Sequence, residues 1–466
     1  MDVKQQIKLF IEARSIALVG ATRRTGDGHN VVENLLNYGY TGKLYPVNPN
    51  ADDIMGVKVY HSIGDLPEGI DLALISTPRS QAPQHARECV AKGIKALIIV
   101  AQGMADVGGE GIRLQQELVK IAREGGARVL GPNTFGVANA FMHLNTAFVN
   151  FEIPENPIGT IAQTGMLFGG TARRRLMGKA IDIGNTCDID FADALEYYVD
   201  DPQIKLIVMY MEDVKDGRKF MRVAKRVTRQ KPIIVLKGGR TSVGANLTKS
   251  HTGSMAGRAE IYDAAFRQCG IIRASDFDEM DDLVMGFWYL PPPKGRRVAL
   301  MTNTMGAGIL ATDACTNWGL ELATFTGETK ERISRVMPPW LPVINPVDIG
   351  PANFVVPDRE KVIFECMESL LTDPGVDAIL FILPAGFDKE SAWGIEVPNV
   401  ARKLAAKYPA KPIVGWVHSN DVGEKSAKAY MTDRNIVVCP TVDRAARVLS
   451  RLLNYAQFRE ATKAEE

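Results

Sequence analysis

The sequence predicts an α/β protein built from doubly wound domains with parallel sheets, and three observations carry that reading. Short β-branched runs alternate with amphipathic stretches of helical length along almost the whole chain, the pattern of βαβ units. The 466 residues, at roughly 150 per domain, suffice for about three hydrophobic cores. Forty-two glycines and 25 prolines are spread along the chain and not clustered, which places tight turns between short elements and predicts no sizeable disordered tail.

The elements follow in order. Strands are expected at SIALVG (15–20), KLYPVN (43–48), LALIST (72–77), ALIIVA (96–101) and RVLGPN (128–133), each a short apolar run bounded by turn-forming residues, with helices between them. They make one domain, 1–150. A second series, TIAQ, AIDIGN, LIVMYME, PIIVLKGG and IIRAS, makes a domain over 151–290. The prolines of LPPPKGRR cannot continue a helix, so 291–297 reads as a linker, and a third series opening with RVALMTN fills 298–466. The second and third series resemble copies of one another. DPQIKLIVMYME at 201 returns as DPGVDAILFILP 172 positions later, and KPIIV at 231 as KPIVG 180 positions later. GIIRASDFDEM at 270 aligns with NIVVCPTVDRA 165 positions on, so the first copy carries 15 extra residues where a strand should simply become a helix. That insertion contains GRTSVGANLTKSHTGSMAG, and long loops at the carboxyl edge of a parallel sheet are where chemistry tends to sit.

Composition narrows the function classes. Fifty-five Lys and Arg against 54 Asp and Glu leave a net charge of +1, with 46% hydrophobic and 23% charged residues, the balance of an ordinary soluble globular protein. Nucleic acid is therefore not expected as the main partner. Cys89, Cys187, Cys269, Cys315, Cys366 and Cys439 lie far apart with no CxxC pair, which predicts neither a zinc site nor a disulfide framework and fits a reducing, cytoplasmic compartment. The N-terminal MDVKQQIKLFIEARS is no signal peptide, and no apolar run reaches the roughly 18 residues of a membrane helix, so no membrane role is expected.

The turn Gly20-Ala21-Thr22-Arg23-Arg24-Thr25-Gly26-Asp27-Gly28 follows the first strand and precedes a helix, so its N–H groups suit a phosphate. At the end of the second strand, where a dinucleotide binder presents a carboxylate to the ribose hydroxyls, the chain has Val47-Asn48-Pro49-Asn50. With no acid there, and with Arg23, Arg24 and Lys43 expected near the same edge, the site suits a nucleotide with extra phosphate on its ribose. CoA and NADP both fit this reading, and NAD fits it poorly. Thr77 and Pro78, at the end of the third strand, complete the expected binding edge.

Only six histidines occur, and none are spaced as helical metal ligands, so no metal site is expected. His251 lies in the inserted loop, followed by Thr252, Gly253 and Ser254, a polar nest able to hold phosphate oxygens. A nucleophilic imidazole needs one nitrogen free and the other held by an acceptor. Glu212, ending LIVMYME, should emerge at the same sheet edge as the His251 loop; its competing reading is a cap for the helix DGRKFMRVAKRV. Gln163-Thr164-Gly165, where a strand turns into a helix, offers N–H groups and a helix dipole to a phosphoryl group.

At this point the chain resembles the α subunit of NDP-forming acyl-CoA synthetases, the acetate–CoA ligase (ADP-forming) type of the succinyl-CoA synthetase superfamily. SIALVGAT, GKLYPVNPN, GPNTFG, GNTCDID, EYYVDDP, MYMEDVKDGRKF, LKGGRTSVGANLTKSHTGSMAG, YDAAFRQCGIIRA and INPVDIG carry the resemblance, over essentially all of the chain. It implies a Rossmann-like CoA-binding domain followed by two flavodoxin-like domains. It also implies that His251 is phosphorylated during turnover, with Glu212 in the histidine-orienting position. The implied reaction is acid + CoA + ATP ⇌ acyl-CoA + ADP + Pi, with a carboxylic acid and phosphate as the small substrates. No segment supplies an ATP-grasp module or a P-loop, so ATP or ADP and Mg²⁺ are expected through a separate ATP-grasp β subunit, in an α2β2 or similar assembly. Four departures stand out: SQSGAL is AQTGML, GPNCLG is GPNTFG with Thr134 and Phe135, GNKAD is GNTCD, and TNAGGPG is TNTMGAG with Met305. Met166, Phe168, Phe135 and Met305 are expected to reshape a pocket built for a small acid. Two rival readings are a non-catalytic CoA-binding sensor and an NADP-dependent oxidoreductase.

Overall fold

The computed structural model describes residues 1–26, 29–149, 151, 153–166, 168, 176–244, 258–383, 393–417 and 436–464, with the backbone alone at 353, 383, 393–399 and 417. They fall into two compact units, Met1–Ser275 and Asp276–Glu466. The α/β class expected from the alternating pattern is what the chain adopts.

The first unit holds two large sheets. Helix α1 (Val3–Ile11) starts in a capping box, Asp2 accepting from the N–H of Gln5. Strands β1 (Ser15–Val19) and β2 (Lys43–Val47), the small hairpin of β3 (Asp53–Ile54) and β4 (Val57–Lys58), then β5 (Leu72–Ile75), β6 (Ala96–Ile99) and β7 (Arg128–Leu130) follow in order. Helices α2 (Val31–Tyr38), α3 (Ala82–Ala91) and α4 (Glu110–Glu124) alternate with them. The large sheet runs β2-β1-β5-β6-β7, all parallel. Every residue of β1, β5 and β6 is buried, which is why these strands read as unbroken apolar runs.

The chain joins the second sheet at β8 (Val137–Asn139) and β9 (Leu144–Asn145), antiparallel strands on the flank of β11 (Lys179–Asp182). The other strands are β10 (Ile158–Ala162), β12 (Leu206–Met211), β13 (Ile233–Lys237) and β14 (Ile272–Ala274), and the order is β14-β13-β12-β10-β11-β8-β9. Helices α5 (Phe191–Tyr198), α6 (Gly217–Thr228) and α7 (Ala259–Cys269) belong to this layer. Buried ion pairs tie the two sheets together. Asp188, its side chain wholly buried, accepts from Arg123, from Arg128 at 2.8 Å and from the Val129 N–H, and Arg128 also reaches Asp193. Lys179 donates to Asp201 at 2.6 Å and to the Tyr197 hydroxyl, which in turn donates to Glu12 beyond α1.

The second unit opens with α8 (Phe277–Tyr289), capped by Asp276 and packed on the last helix, α14 (Val442–Lys463). Residues 291–296 join α8 to β15 (Arg297–Thr302) within this unit. Between them and α14 run α9 (Met305–Asn317), β16 (Glu321–Leu322), α10 (Gly327–Ser334), β17 (Val347–Asp348), α11 (Ala352–Val355), α12 (Arg359–Thr372), β18 (Ala378–Leu383), α13 (Trp393–Lys407), β19 (Ile413–Val417) and β20 (Ile436–Cys439). The sheet order is β16-β15-β18-β19-β20, with β17 against the end of β15. The internal repeat is visible in register: β18 starts and ends 172 positions after β12, and β19 180 positions after β13. Its chemistry repeats too. Lys231 donates to the carbonyl of Asp201 at 2.6 Å and Lys411 to that of Asp373 at 2.5 Å, and burial lowers the pKa of both lysines.

Candidate functional site

In a doubly wound sheet, ligands collect at the carboxyl edge where the strand order reverses, because the loops on either side diverge there. In the first sheet that point lies between β1 and β5. Gly20 leaves β1 at φ +84°, and a Cβ on it would stand 2.8 Å from the Ser76 carbonyl and the Thr77 methyl, so the two turns touch and only glycine fits. Thr22 accepts from the Arg24 N–H, and the exposed Arg23 reaches the carbonyl of Asn50 at 3.0 Å. Asn48 donates to the carbonyl of Ala21 at 2.7 Å and accepts from the Asn50 N–H, pinning the β1 and β2 turns together. Thr77 pairs with His85 at 2.9 Å, and the exposed Pro49 and Pro78 flank the rim. Gly20, Thr22, Arg23, Asn48, Pro49, Thr77 and Pro78 thus share one edge.

Lys43 does not join them. It opens β2 opposite Ser15, at the amino end of the sheet, while Val47 closes the strand opposite Val19. Four residues at about 3.3 Å each separate it from the nucleotide edge by roughly 13 Å. Proximity in sequence to Asn48 suggested otherwise; strand direction decides it.

In the second sheet the order reverses between β10 and β12, and there Gln163 and Glu212 meet. Gln163 Oε1 accepts from the Glu212 N–H at 2.6 Å and the Asp213 N–H at 3.2 Å, while its Nε2 donates to Asp213 Oδ1 at 2.8 Å. Its side chain is a brace across the switch point. Thr164 and Gly165 follow, half-buried, at the start of the next helical turn, with Thr164 Oγ1 accepting from the Met166 N–H. Glu212 is buried, 7% exposed. It does not cap α6: that position belongs to Asp216, which accepts from the Lys219 N–H at 2.9 Å. Glu212 instead interacts with Tyr210, whose phenol is pushed up to about 12 by burial and by this carboxylate. His251, Thr252, Gly253 and Ser254 lie outside the described residues.

Two further ionisable groups stand at this edge that sequence reasoning passed over. Asp182 ends β11 beside Ala162, wholly buried, and accepts from the Phe135 N–H at 2.7 Å. Burial first, and the Glu212 charge besides, push its carboxyl up to about 7. Lys237 ends β13, 3% exposed, and burial lowers its ammonium to about 8. Neither gave a signal in the sequence, since an acid or lysine at the end of an apolar run reads as a solvated strand end.

The GPNTFG turn joins the two sheets. The carbonyls of Gly131 and Pro132 accept from the N–H groups of Cys187 and Asn185, so the turn after β7 is bonded to the loop after β11. It presents the Phe135 ring to Gly165 so closely that a Cβ there would stand 1.9 Å from it. Phe135 packs on Phe148 (4.6 Å between centroids) and near Phe168, which is fully buried. Of the expected pocket-shaping residues, Phe135 and Phe168 form this aromatic wall beside Thr164, while Met166 is 60% exposed. Met305 starts α9 of the other unit, half-buried.

Three family models cover the chain in succession: a CoA binding domain at residues 14–140, a succinyl-CoA ligase like flavodoxin domain at 156–287 and a ligase-CoA domain at 298–463. Fold and site together therefore define a modular α/β protein of the acyl-CoA synthetase class. The chain is 36% identical over 441 residues to the acetate–CoA ligase [ADP-forming] II subunit alpha of Pyrococcus furiosus, covering 93% of this chain and 94% of that one. It is similar in structure to the dinucleotide-forming acetyl-coenzyme A synthetase 1 of Ca. Korarchaeum cryptofilum, solved with phosphate and ADP (TM-score 0.87, 32% identity, 98% of each chain). It also matches the acetate–CoA ligase [ADP-forming] of Methanocaldococcus jannaschii at 35% identity, over 97% of this chain but 63% of that protein. The chain belongs to the family of α subunits of ADP-forming acetate–CoA ligases. These relatives favour neither the sensor nor the oxidoreductase. No helix among the described residues is long and apolar enough to cross a membrane.

Proposed function

We propose that this chain is the CoA-binding, phosphohistidine-carrying subunit of an ADP-forming acyl-CoA synthetase, acting on a carboxylic acid in the cytoplasm. The observation that carries the reading is the second switch point, where Gln163 locks the buried Glu212 beside the Thr164-Gly165 helix start. The domains divide the work: 1–150 holds CoA, 151–290 carries the phosphoryl group, and 298–466 completes the subunit.

The Gly20 cradle fits CoA because the exposed Arg23 stands at a turn where only glycine can pass, with no acid at Asn48 to repel a ribose phosphate. Thr22, Arg23, Asn48, Pro49, Thr77 and Pro78 line that site. Phosphate attacks the acyl-CoA carbonyl and the thiol of CoA leaves, giving an acyl phosphate. His251 then takes the phosphoryl group and releases the carboxylic acid, while Glu212 holds the other imidazole nitrogen and offsets the imidazolium charge. Gln163, Thr164 and Gly165, with Thr252, Gly253 and Ser254, offer donors to the phosphoryl oxygens. A partner subunit with an ATP-grasp fold supplies ADP and Mg²⁺ and receives the phosphoryl group, in an α2β2 or similar assembly. The longer M. jannaschii relative supports this, since over a third of it lies beyond the match to this chain.

The test uses the assembled enzyme with radiolabelled ATP. Acid-labile label should appear on His251, and His251→Ala should lose both the label and turnover. A substituted enzyme that still consumed ATP with acid and CoA would overturn the proposal.

A further inference from the structure

We propose that Lys237 is a positioning residue for phosphoryl transfer, holding the main chain of Glu212 and supplying the buried positive charge at the second switch point. The inference rests on the reading of Glu212 as the histidine-orienting group.

A lysine is seldom fully buried unless it is paired, because removing its charge from water is costly. Lys237 nevertheless sits at 3% exposure at the carboxyl end of β13. Its Nζ donates to the carbonyl of Glu212 at 2.6 Å and to that of Gly238 at 2.5 Å, and lies 4.5 Å over the ring of Tyr262. Tyr262, on α7, accepts from the Val214 N–H at 3.1 Å, so one aromatic residue braces both the lysine and the segment just after Glu212. The Gly238 N–H bonds the Met211 carbonyl, extending the β12–β13 ladder past Lys237. Met211, Glu212 and Val214 are thereby each bonded to β13, to the residue after it or to Tyr262.

The surrounding charge explains the cation. Glu212 and Asp213 face it from the end of β12, Arg273 from β14 opposes it, and the Tyr262 face lies under it. Asp182, beyond Glu212 on β11, adds a further buried carboxyl to the same edge. Without Lys237 the buried acids would lack a cation bonded to their own strand end, and an arriving phosphoryl group brings more negative charge to that place. The ammonium is present below about pH 8 and is lost as the pH rises through that value. A Lys237 contribution should therefore end on the alkaline side of the activity profile.

The experiment compares the assembled enzyme with Lys237→Met, Lys237→Arg and Glu212→Gln, measuring acyl-CoA-dependent ATP formation from pH 6 to about 9.5. Lys237→Met keeps the volume and removes the charge. Its kcat should fall roughly tenfold to a hundredfold, the loss that displacement of a reacting group by about 1 Å produces, with KM for CoA unchanged and the alkaline limb near pH 8 gone. Lys237→Arg, if folded by circular dichroism, should retain more activity and move that limb upward. Wild-type kcat and profile shape in Lys237→Met would overturn the inference. So would a loss of kcat that leaves the limb in place, since that is general loosening of the fold. If Glu212→Gln is slow while Lys237→Met is wild-type, only the lysine role fails; if Glu212→Gln is wild-type too, the reading of Glu212 fails with it.

Discussion

Asp182→Asn should make the protein more stable at neutral pH. A carboxyl whose pKa rises on folding is protonated in both states below its ordinary 3.8, and there stability is whole. Between 3.8 and about 7 only the unfolded chain releases its proton, so stability drains away until the folded group ionises as well. The rise from 3.8 to about 7 corresponds to about 4 kcal/mol by pH 8, at ~1.4 kcal/mol per pH unit. Asparagine cannot ionise, and its amide oxygen can still accept from the Phe135 N–H. Its NH₂, however, would face the Gly184 N–H, which now donates to Asp182 at 3.3 Å, and losing that bond costs about 1 kcal/mol. The net gain at pH 8 is about 2–3 kcal/mol, shrinking to within about 1 kcal/mol of wild type at pH 5. Urea unfolding of the full chain, followed by circular dichroism at both pH values, reads this directly. A variant no more stable than wild type at pH 8, or a difference of equal size at both pH values, would refute the argument.

Gly20→Val places a branched side chain at φ +84° against Ser76 and Thr77; CoA affinity measured by calorimetry should fall at least about tenfold, and an unchanged Kd would move the CoA site elsewhere. Glu212→Gln should fold normally yet slow phosphoryl transfer on the order of 10²-fold or more, as read by single-turnover labelling with radiolabelled ATP. Asp188→Ala leaves the mostly buried Arg128 without its principal carboxylate partner; stability should drop by about 3–5 kcal/mol, seen as a lower urea midpoint for the first unit.

Much of this molecule is legible in its residues because strand runs and turns are local. The apolar runs SIALV, LALI and ALII, bounded by turn residues, read as buried strands of parallel sheets, and they are buried along their whole length. The internal repeat predicted matching strands at fixed offsets, and β12 with β18 and β13 with β19 keep them. Gly20 and Asn48 were legible for the same reason: each closes a strand, and strand ends at a switch point are neighbours by topology.

Tertiary structure decided what depends on direction, burial and side-chain partners. Lys43 left the nucleotide edge because it starts its strand where Asn48 follows the end of it. Glu212 ceased to be a helix cap once Asp216 was seen to fill that place. The side chain of Gln163 became a brace, and the ionisable residues Asp182 and Lys237 entered the site, through contacts between strands far apart in sequence. Local sequence specifies which element a residue ends. The dielectric around its charge, and the groups that share its hydrogen bonds, exist only after the sheets have assembled and excluded water.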